Sequence, residues 1–279
     1  MALRGFQARL TEIRRMAGLD VTLAMRLKEE AGGNQTEEDW HRLLALDPQG
    51  SFAACFDGSV VGTASTIRYG PSLGWIGMLV VDPRYRRRGV ARQLVQACLC
   101  YLKEEDVATV KLYSPPLGKT CYEEQGFEVE GIIERWEGEA PILPDVKVSR
   151  RGDMHGWDLR AYGVDRSRLL ARLVKESCVP PLCWEDRGYA LARRGSQACQ
   201  IGPLVADNEA AAVALLDGML GRLTGRKVLV DWNTAFPDGG RLLAERGFVK
   251  QRELLRMRRG PECACPTAMV VAISGTELG

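Results

Sequence analysis

Histidine is nearly absent from this chain: among 279 residues there are only His41 and His155. A zinc site would have to rest on cysteine, and the nine cysteines do not assemble one. They are odd in number and scattered through helical and strand-like patterns. That is no disulfide framework, and it points to a reducing compartment. Cys98-x-Cys100 falls within one helical pattern, where residues two apart face different directions. Cys263-x-Cys265 is the more suggestive pair, but no histidine or second pair nearby completes a ligand set. No metal is expected. Long apolar runs are also missing. None follows Met1-Ala2-Leu3-Arg4-Gly5-Phe6, so neither a signal peptide nor a membrane span is expected, and the expected location is cytoplasmic. No sign of charge dominates either. With 38 basic and 36 acidic residues, a net charge of +2 gives no global field to draw nucleic acid or an anionic membrane.

What is present begins with size. At 279 residues the chain is comfortable for two domains of about 100–200 residues each. An apolar content of 46% supports sizeable cores. Against the balanced charge, the local run Arg84-Tyr85-Arg86-Arg87-Arg88 needs a local explanation. It follows Trp75–Val81, an apolar run that reads as a buried strand stopped by Pro83, which lacks the N–H that a ladder needs. After it, Val90, Leu94, Cys98, Tyr101 and Leu102 recur on one helical face. The order is strand, basic turn, helix start. Gly89 and Ala91 leave almost no side chain where the helix begins, so a ligand can approach bare N–H groups. The helix dipole adds partial positive charge there. Arg86, Arg87, Arg88 and Arg92 add full charges. A diphosphate fits such a cradle; a solvated basic loop or a nucleic-acid patch are the competing readings.

A second element decides between them. After the apolar segment Val107–Tyr113 and the Pro115-Pro116 turn comes Tyr122-Glu123-Glu124-Gln125-Gly126-Phe127. Arg86-x-x-Gly89-x-Ala91 after Val81-x-Pro83 resembles the acetyl-CoA signature of the GNAT superfamily of N-acetyltransferases, and Tyr122-x-x-x-Gly126-Phe127 resembles that superfamily's later motif. The likeness covers roughly residues 8–137. One departure stands out: Arg87 occupies a position where many members have glycine.

The resemblance implies an α/β (α+β) fold, a mixed, mostly antiparallel sheet flanked by helices. It implies that acetyl-CoA is the acyl donor. Leu79, Val80, Val81, Arg86, Arg87, Arg88, Gly89, Val90, Ala91, Arg92 and Ser114 would then bind it. The oxyanion donor would be a main-chain N–H on Met78–Val81, and Tyr122 would protonate the departing thiolate. Its competing role is a core aromatic stacked beside Phe127. The acceptor would be a primary amine of a small molecule or amino acid, which must lose a proton before it attacks. Asn34, Glu38, Asp39 and Trp40 lie where such folds often border the acceptor site, although capping and packing would explain each of them as well. The strand Gly74–Val81 carries no ionisable side chain, so the base stays open between water, Glu38 and Asp39.

The remaining segments follow standard signals. Residues 7–16 alternate as a first strand, and Leu19–Glu30 is helical up to Gly32-Gly33. Thr36 and Asp39 are spaced as a capping box. Ser51–Phe56 and Ser59–Ile67 flank the hairpin signal Asp57-Gly58. The division expected is a domain over 1–137, a linker over 138–154 broken by Gly138, Pro141, Pro144 and Gly152, and a second domain over 155–279.

That second domain repeats the first in worn form. Tyr189–Gly195 echoes Phe52–Gly58, Val228–Trp232 echoes Val107–Tyr113, and Leu243–Phe248 echoes Tyr122–Phe127. From Val81 to Gly126 is 45 residues and from Val205 to Gly247 is 42, the shortfall falling at the arginine turn. In its place stands Ala206-Asp207-Asn208-Glu209, whose acidic groups would repel a diphosphate. Leu243 replaces the tyrosine. This resembles a two-domain GNAT branch whose C-terminal domain is degenerate; Asp158–Leu170 looks similar to that branch too. The second half could wall the acceptor pocket, with Asp158 and Arg166 as candidates. Three readings follow: an N-acetyltransferase, a non-catalytic acyl-CoA-binding regulator, and a nucleic-acid binder, the last disfavoured by the lack of a broader basic stripe.

Overall fold

The computed structural model describes residues 12–149, 152–184, 186–262 and 267–279. The first half runs β1 (Glu12–Arg15), α1 (Val21–Glu30), α2 (Glu37–Leu46), β2 (Ser51–Phe56), β3 (Ser59–Arg68), β4 (Leu73–Val81), α3 (Val90–Glu104), β5 (Thr109–Ser114), α4 (Lys119–Glu123) and β6 (Glu128–Glu139). The second runs α5 (Met154–Tyr162), α6 (Ser167–Glu176), β7 (Leu182–Cys183), β8 (Gly188–Arg193), β9 (Cys199–Ala206), α7 (Glu209–Arg222), β10 (Lys227–Asn233), α8 (Gly239–Ala244), β11 (Val249–Arg259) and β12 (Val270–Ala272). Residues 7–11 of the expected first strand, and Cys263 and Cys265, lie outside the described residues.

Local chemistry explains most boundaries. Thr36 N–H donates to Asp39 Oδ2 at 2.7 Å and starts α2. Asp57 and Gly58 take φ of 49° and 76°, the left-handed pair that closes a two-residue hairpin between β2 and β3. The apolar stripe Val90, Leu94, Cys98, Tyr101 and Leu102 of α3 is buried, and the helix packs on β3 and β4.

Among the described residues the strands form one sheet, ordered β1-β2-β3-β4-β5-β11-β6-β10-β12-β9-β8-β7. It is mixed and mostly antiparallel, with β4–β5 and β9–β10 the parallel pairs. Near its middle the two halves exchange strands. β11 lies between β5 and β6, and β6 lies between β11 and β10. Each half therefore completes its sheet with a strand from the other. The segment 138–154 begins while β6 still runs to Glu139, and it ends where Asp153 Oδ1 accepts from Gly156 N–H at 2.8 Å to cap α5.

The internal repeat extends to hydrogen bonds. Phe127 N–H donates to Tyr122 O at 3.1 Å, and Phe248 N–H to Leu243 O at 3.0 Å. Gly126 and Gly247, at φ of 83° and 80°, donate to Glu123 O and Ala244 O. One alignment changes. β8 pairs antiparallel with β9 as β3 pairs with β4, so the strand of Tyr189 matches β3 in space and not the strand of Phe52. The aromatic-to-glycine spacing matched a hairpin one step along the chain.

A buried ionic network ties the halves together. Asp39 accepts from Arg42 Nη1 at 2.6 Å and from Arg193 Nη1 at 2.9 Å. Arg193 Nη2 meets Glu277 Oε1 at 2.7 Å, and Arg42 also pairs with Glu176. Nearby, Arg135 grips Asp231 through two bonds of 2.7 Å.

Candidate active site

β4 and β5 pair only from Leu73 to Ile76 and from Thr109 to Leu112, and then they part. Just beyond, Met78 takes φ of 52° and the β3–β4 register slips between Thr63 and Ser65. That bulge turns the strand aside. Thr63 Oγ1 pins it by donating to Met78 O at 3.0 Å. From the gap onward, the edge of β4 that faced β5 has polar backbone without a ladder partner.

The turn after β4 is held from both ends. Asp82 accepts from Arg84 N–H at 2.9 Å and from its guanidinium at 2.6 Å, while Arg86 Nε donates to Val81 O at 3.0 Å. The Arg84 guanidinium, with the Arg84 N–H, holds the Asp82 carboxyl down to about 2. Arg87 sits at φ of 58°, which explains why glycine suits this position. Gly89, at φ of 79°, is the N-cap of α3, and no side chain caps that helix. A β-carbon built on Gly89 would meet only Gln93 Nε2, at 3.9 Å. The first-turn amides of an α-helix have no partner within it, so this helix start is open and bare. Arg86, Arg87, Arg88 and Arg92 are exposed around it, Val90 is buried and Ala91 half-buried. Arg88 stacks over Tyr85 at 5.4 Å, and Arg92 borders a surface depression with Gly126 and Arg259. These residues suit a diphosphate with a slender tail in the strand gap.

A cavity of about 190 Å³ opens at the gap. Gly77, Met78, Leu79 and Val80 form one side, and Tyr113, Pro115 and Tyr122 the other. Val81 is buried next to it, and Ser114 ends β5 with its hydroxyl donating to Pro115 O at 2.8 Å. Tyr122 meets Phe127 edge-on at 5.9 Å, so it packs in the core and borders the cavity at once. Burial pushes its phenol well above the usual tyrosine range, which keeps it protonated.

The expected acceptor-side residues separate. Trp40 borders the cavity. Glu38 is exposed and lies off the lining. Asn34 binds the second half: its Oδ1 accepts from Gln197 and Ala198 N–H at 3.0 Å, and its Nδ2 donates to Ala198 O. Asp39 is in the ionic network. Burial pushes its carboxyl up, but Arg193 and Arg42 outweigh this and hold it below the usual range, so it is a poor base. Asp158 and Arg166 pair with each other at 2.9 Å in the second half and do not line this cavity. The wall supplied by the second half is instead Arg252, Leu254 and Thr276, with Arg135 from β6. The alternation Leu255-Arg256-Met257-Arg258 is strand-like, but nothing local says that it crosses into the other half.

In the second half the corresponding gap is closed. β9 and β10 pair from Cys199 to Ile201 and from Val228 to Val230, and then β12 fills the space between them. Asn208 Oδ1 caps α7 by accepting from Ala211 N–H at 2.9 Å. Leu243, in the tyrosine's place, is fully buried. Among the described residues no group of histidine, cysteine and acidic side chains could hold a metal, and no helix is long and apolar enough to cross a membrane.

Comparison with known proteins agrees with this duplication. Residues 21–127 match the acetyltransferase (GNAT) family model, and residues 154–269 match a second acetyltransferase (GNAT) domain model. YitH of Bacillus subtilis, an uncharacterised N-acetyltransferase, is 26% identical over 82% of this chain and 84% of its own length. A Pyrococcus horikoshii protein solved as a candidate acetyltransferase superposes with a TM-score of 0.84 over 100% of this chain and 99% of its own, at 23% identity. A GCN5-related N-acetyltransferase of Sphaerobacter thermophilus gives 0.66 over 90% and 95%, at 19% identity. With two such domains in tandem, the chain belongs to the GNAT superfamily, the acetyl-CoA-dependent acyltransferases.

Proposed function

We propose that the first half transfers an acetyl group from acetyl-CoA directly to the primary amine of a small molecule or amino acid in the cytoplasm. One observation carries the reading: Tyr122 and the β4 segment Gly77–Val80 border one cavity at the strand gap, and β4 leads through the arginine turn to the uncapped helix start at Gly89. Gly89 to Arg92 and the surrounding arginines bind the diphosphate. Leu79, Val80 and Val81 align the pantetheine arm along the free edge of β4, and Ser114 marks the end of β5 across the gap. Main-chain N–H groups of Met78–Val81 stabilise the developing oxyanion. Tyr122 donates to the departing thiolate. A free phenol is a weaker acid than a thiol, but burial raises the thiolate's proton affinity as well, which brings the two closer.

Deprotonation of the acceptor does not need a carboxylate in this account. Among the described residues the lining contains Lys28, Arg135 and Arg252 and no acidic side chain. Nearby cations disfavour an ammonium, so the amine binds neutral and its proton leaves through water. The same lack of a carboxylate favours the second reading, a non-catalytic acyl-CoA-binding regulator. Thiol release from acetyl-CoA across a panel of primary amines separates the two. Turnover is expected, and tight coenzyme A binding without turnover on any amine would favour the regulator.

A further inference from the structure

We infer that the acceptor carries a carboxylate as well as its amine, and that Arg252 of β11 is the residue that selects for it. The inference rests on the acetyl-transfer reading above and narrows it. Through the bulge in β11, Arg252 falls directly opposite Arg135 of β6. Like charges facing across two strands repel. The structure relieves one of them: Arg135 makes two bonds of 2.7 Å to Asp231, which also accepts from Gln200 Nε2 at 3.1 Å. Arg252 has no such relief. Arg252 is an exposed residue, and among the described residues it makes no hydrogen bond and meets no carboxylate within ion-pair distance.

Its side chain borders the cavity that holds Tyr122 and the β4 bulge. Lys28, also in the lining, donates to the neutral Ser196 hydroxyl at 3.0 Å and has no acidic partner among the described residues. An exposed guanidinium without a protein partner is free to take an anion, and its planar fork matches a carboxylate through two parallel bonds. The cavity, about 190 Å³, is smaller than the roughly 300–1,000 Å³ of drug-sized sites. A free amino acid, or a compact amine with one carboxylate, has both the charge and the size.

The test compares L-α-amino acids with their α-amides, which keep the amine and remove the anion. Wild-type protein is expected to favour the acid by about 10- to 150-fold in kcat/KM, the range of a charge-assisted hydrogen bond. Arg252→Gln should abolish that preference by raising KM for acids only, Arg252→Lys should restore part of it, and coenzyme A binding should not change. Equal use of acids and amides by wild type, or an equal loss on both in Arg252→Gln, would overturn the inference. A binding arm keeps it testable without turnover: N-acetyl amino acids against N-acetyl amino-acid amides, titrated onto the coenzyme A complex. If turnover is absent and the acid still binds better in an Arg252-dependent way, the acetyl-transfer reading fails while the anion site stands. If turnover is present without acid preference, only the anion site fails.

Discussion

The two halves of this protein start from one plan and differ chiefly at one architectural place. In both, two parallel strands pair for a few residues and then part. In the first half the space stays open, and Gly77 to Val80 face a cavity. In the second half the three residues of β12 occupy it. The helix beside each gap follows suit: α3 begins bare at Gly89, whereas α7 is capped by the Asn208 side chain. A gap filled by strand and a capped helix start satisfy backbone groups internally, which favours stability. Leaving both open gives up those bonds and makes a place for a ligand. Loss of chemistry in the second half is thus a gain of internal bonding, and the half keeps a function through what it lends: β11 brings Arg252 and Leu254 to the other half's cavity.

The largest expected effect breaks the comparison at its tyrosines. Tyr122→Phe should lower kcat by about 10²- to 10⁴-fold, the usual worth of a positioned proton donor, with coenzyme A affinity preserved. The converse change, Leu243→Tyr, should add no activity, because β12 bars the gap beside it. Since burial raises the Tyr122 phenol, kcat should show no alkaline loss from this group up to its ordinary value of about 10. Steady-state kinetics with acetyl-CoA check all three; unchanged kcat in Tyr122→Phe would leave Phe127 packing as that ring's whole role.

Next comes the tie between the halves. Arg193→Ala removes the guanidinium shared by Asp39 and Glu277; Asp39 keeps Arg42, but the buried Glu277 carboxylate loses its ion pair. A loss of about 3–5 kcal/mol in unfolding free energy is expected. Because β6 and β11 are exchanged, the halves should still melt in one transition, read by denaturant titration with two probes. Separate transitions would argue against the exchange.

Gly89→Asp makes the first helix start resemble the acidic start of the second. A side chain in the left-handed region costs roughly 1–2 kcal/mol, and a negative charge repels the diphosphate. Coenzyme A affinity should fall by about 10- to 100-fold in calorimetry. Gly247→Asp, at φ of 80° with nothing near its β-carbon, carries the same strain without meeting any phosphate, so affinity there should hold.

Which of these features could be seen in the sequence follows from how local each one is. The capping box at Thr36, the Asp57-Gly58 hairpin and the stripe of α3 are set by neighbours three or four residues apart, and the structure has them where the pattern puts them. The repeat was legible through Gly126-Phe127 and Gly247-Phe248, because each glycine needs its left-handed turn. The match of Tyr189 to Phe52 slipped by one hairpin, since an aromatic-to-glycine spacing recurs wherever a strand meets a turn. The exchange of β6 and β11 left no local mark, and with it went Arg252 and Arg135. Asn34 and Asp39 read as acceptor-side candidates in the sequence, and their partners, Ala198 and Arg193, lie in the other half and are invisible to local spacing.

The smallest expected effect separates the two turns by pH. Asp82 fixes the turn after β4 through the Arg84 guanidinium and N–H, which together hold its carboxyl down to about 2. The folded value lies below the unfolded one of about 3.9, so the stabilisation is complete above about pH 4 and fades as pH falls towards 2. Asn208, the cap of the second turn, does not titrate. Amide exchange near pH 3 should therefore open residues 83–89 relative to pH 5 while residues 209–212 keep their protection. Asp82→Asn should make the first turn's protection, corrected for intrinsic exchange, independent of pH over this window. Equal acid sensitivity at both turns would mean that global unfolding, and not the Asp82 carboxylate, governs the opening.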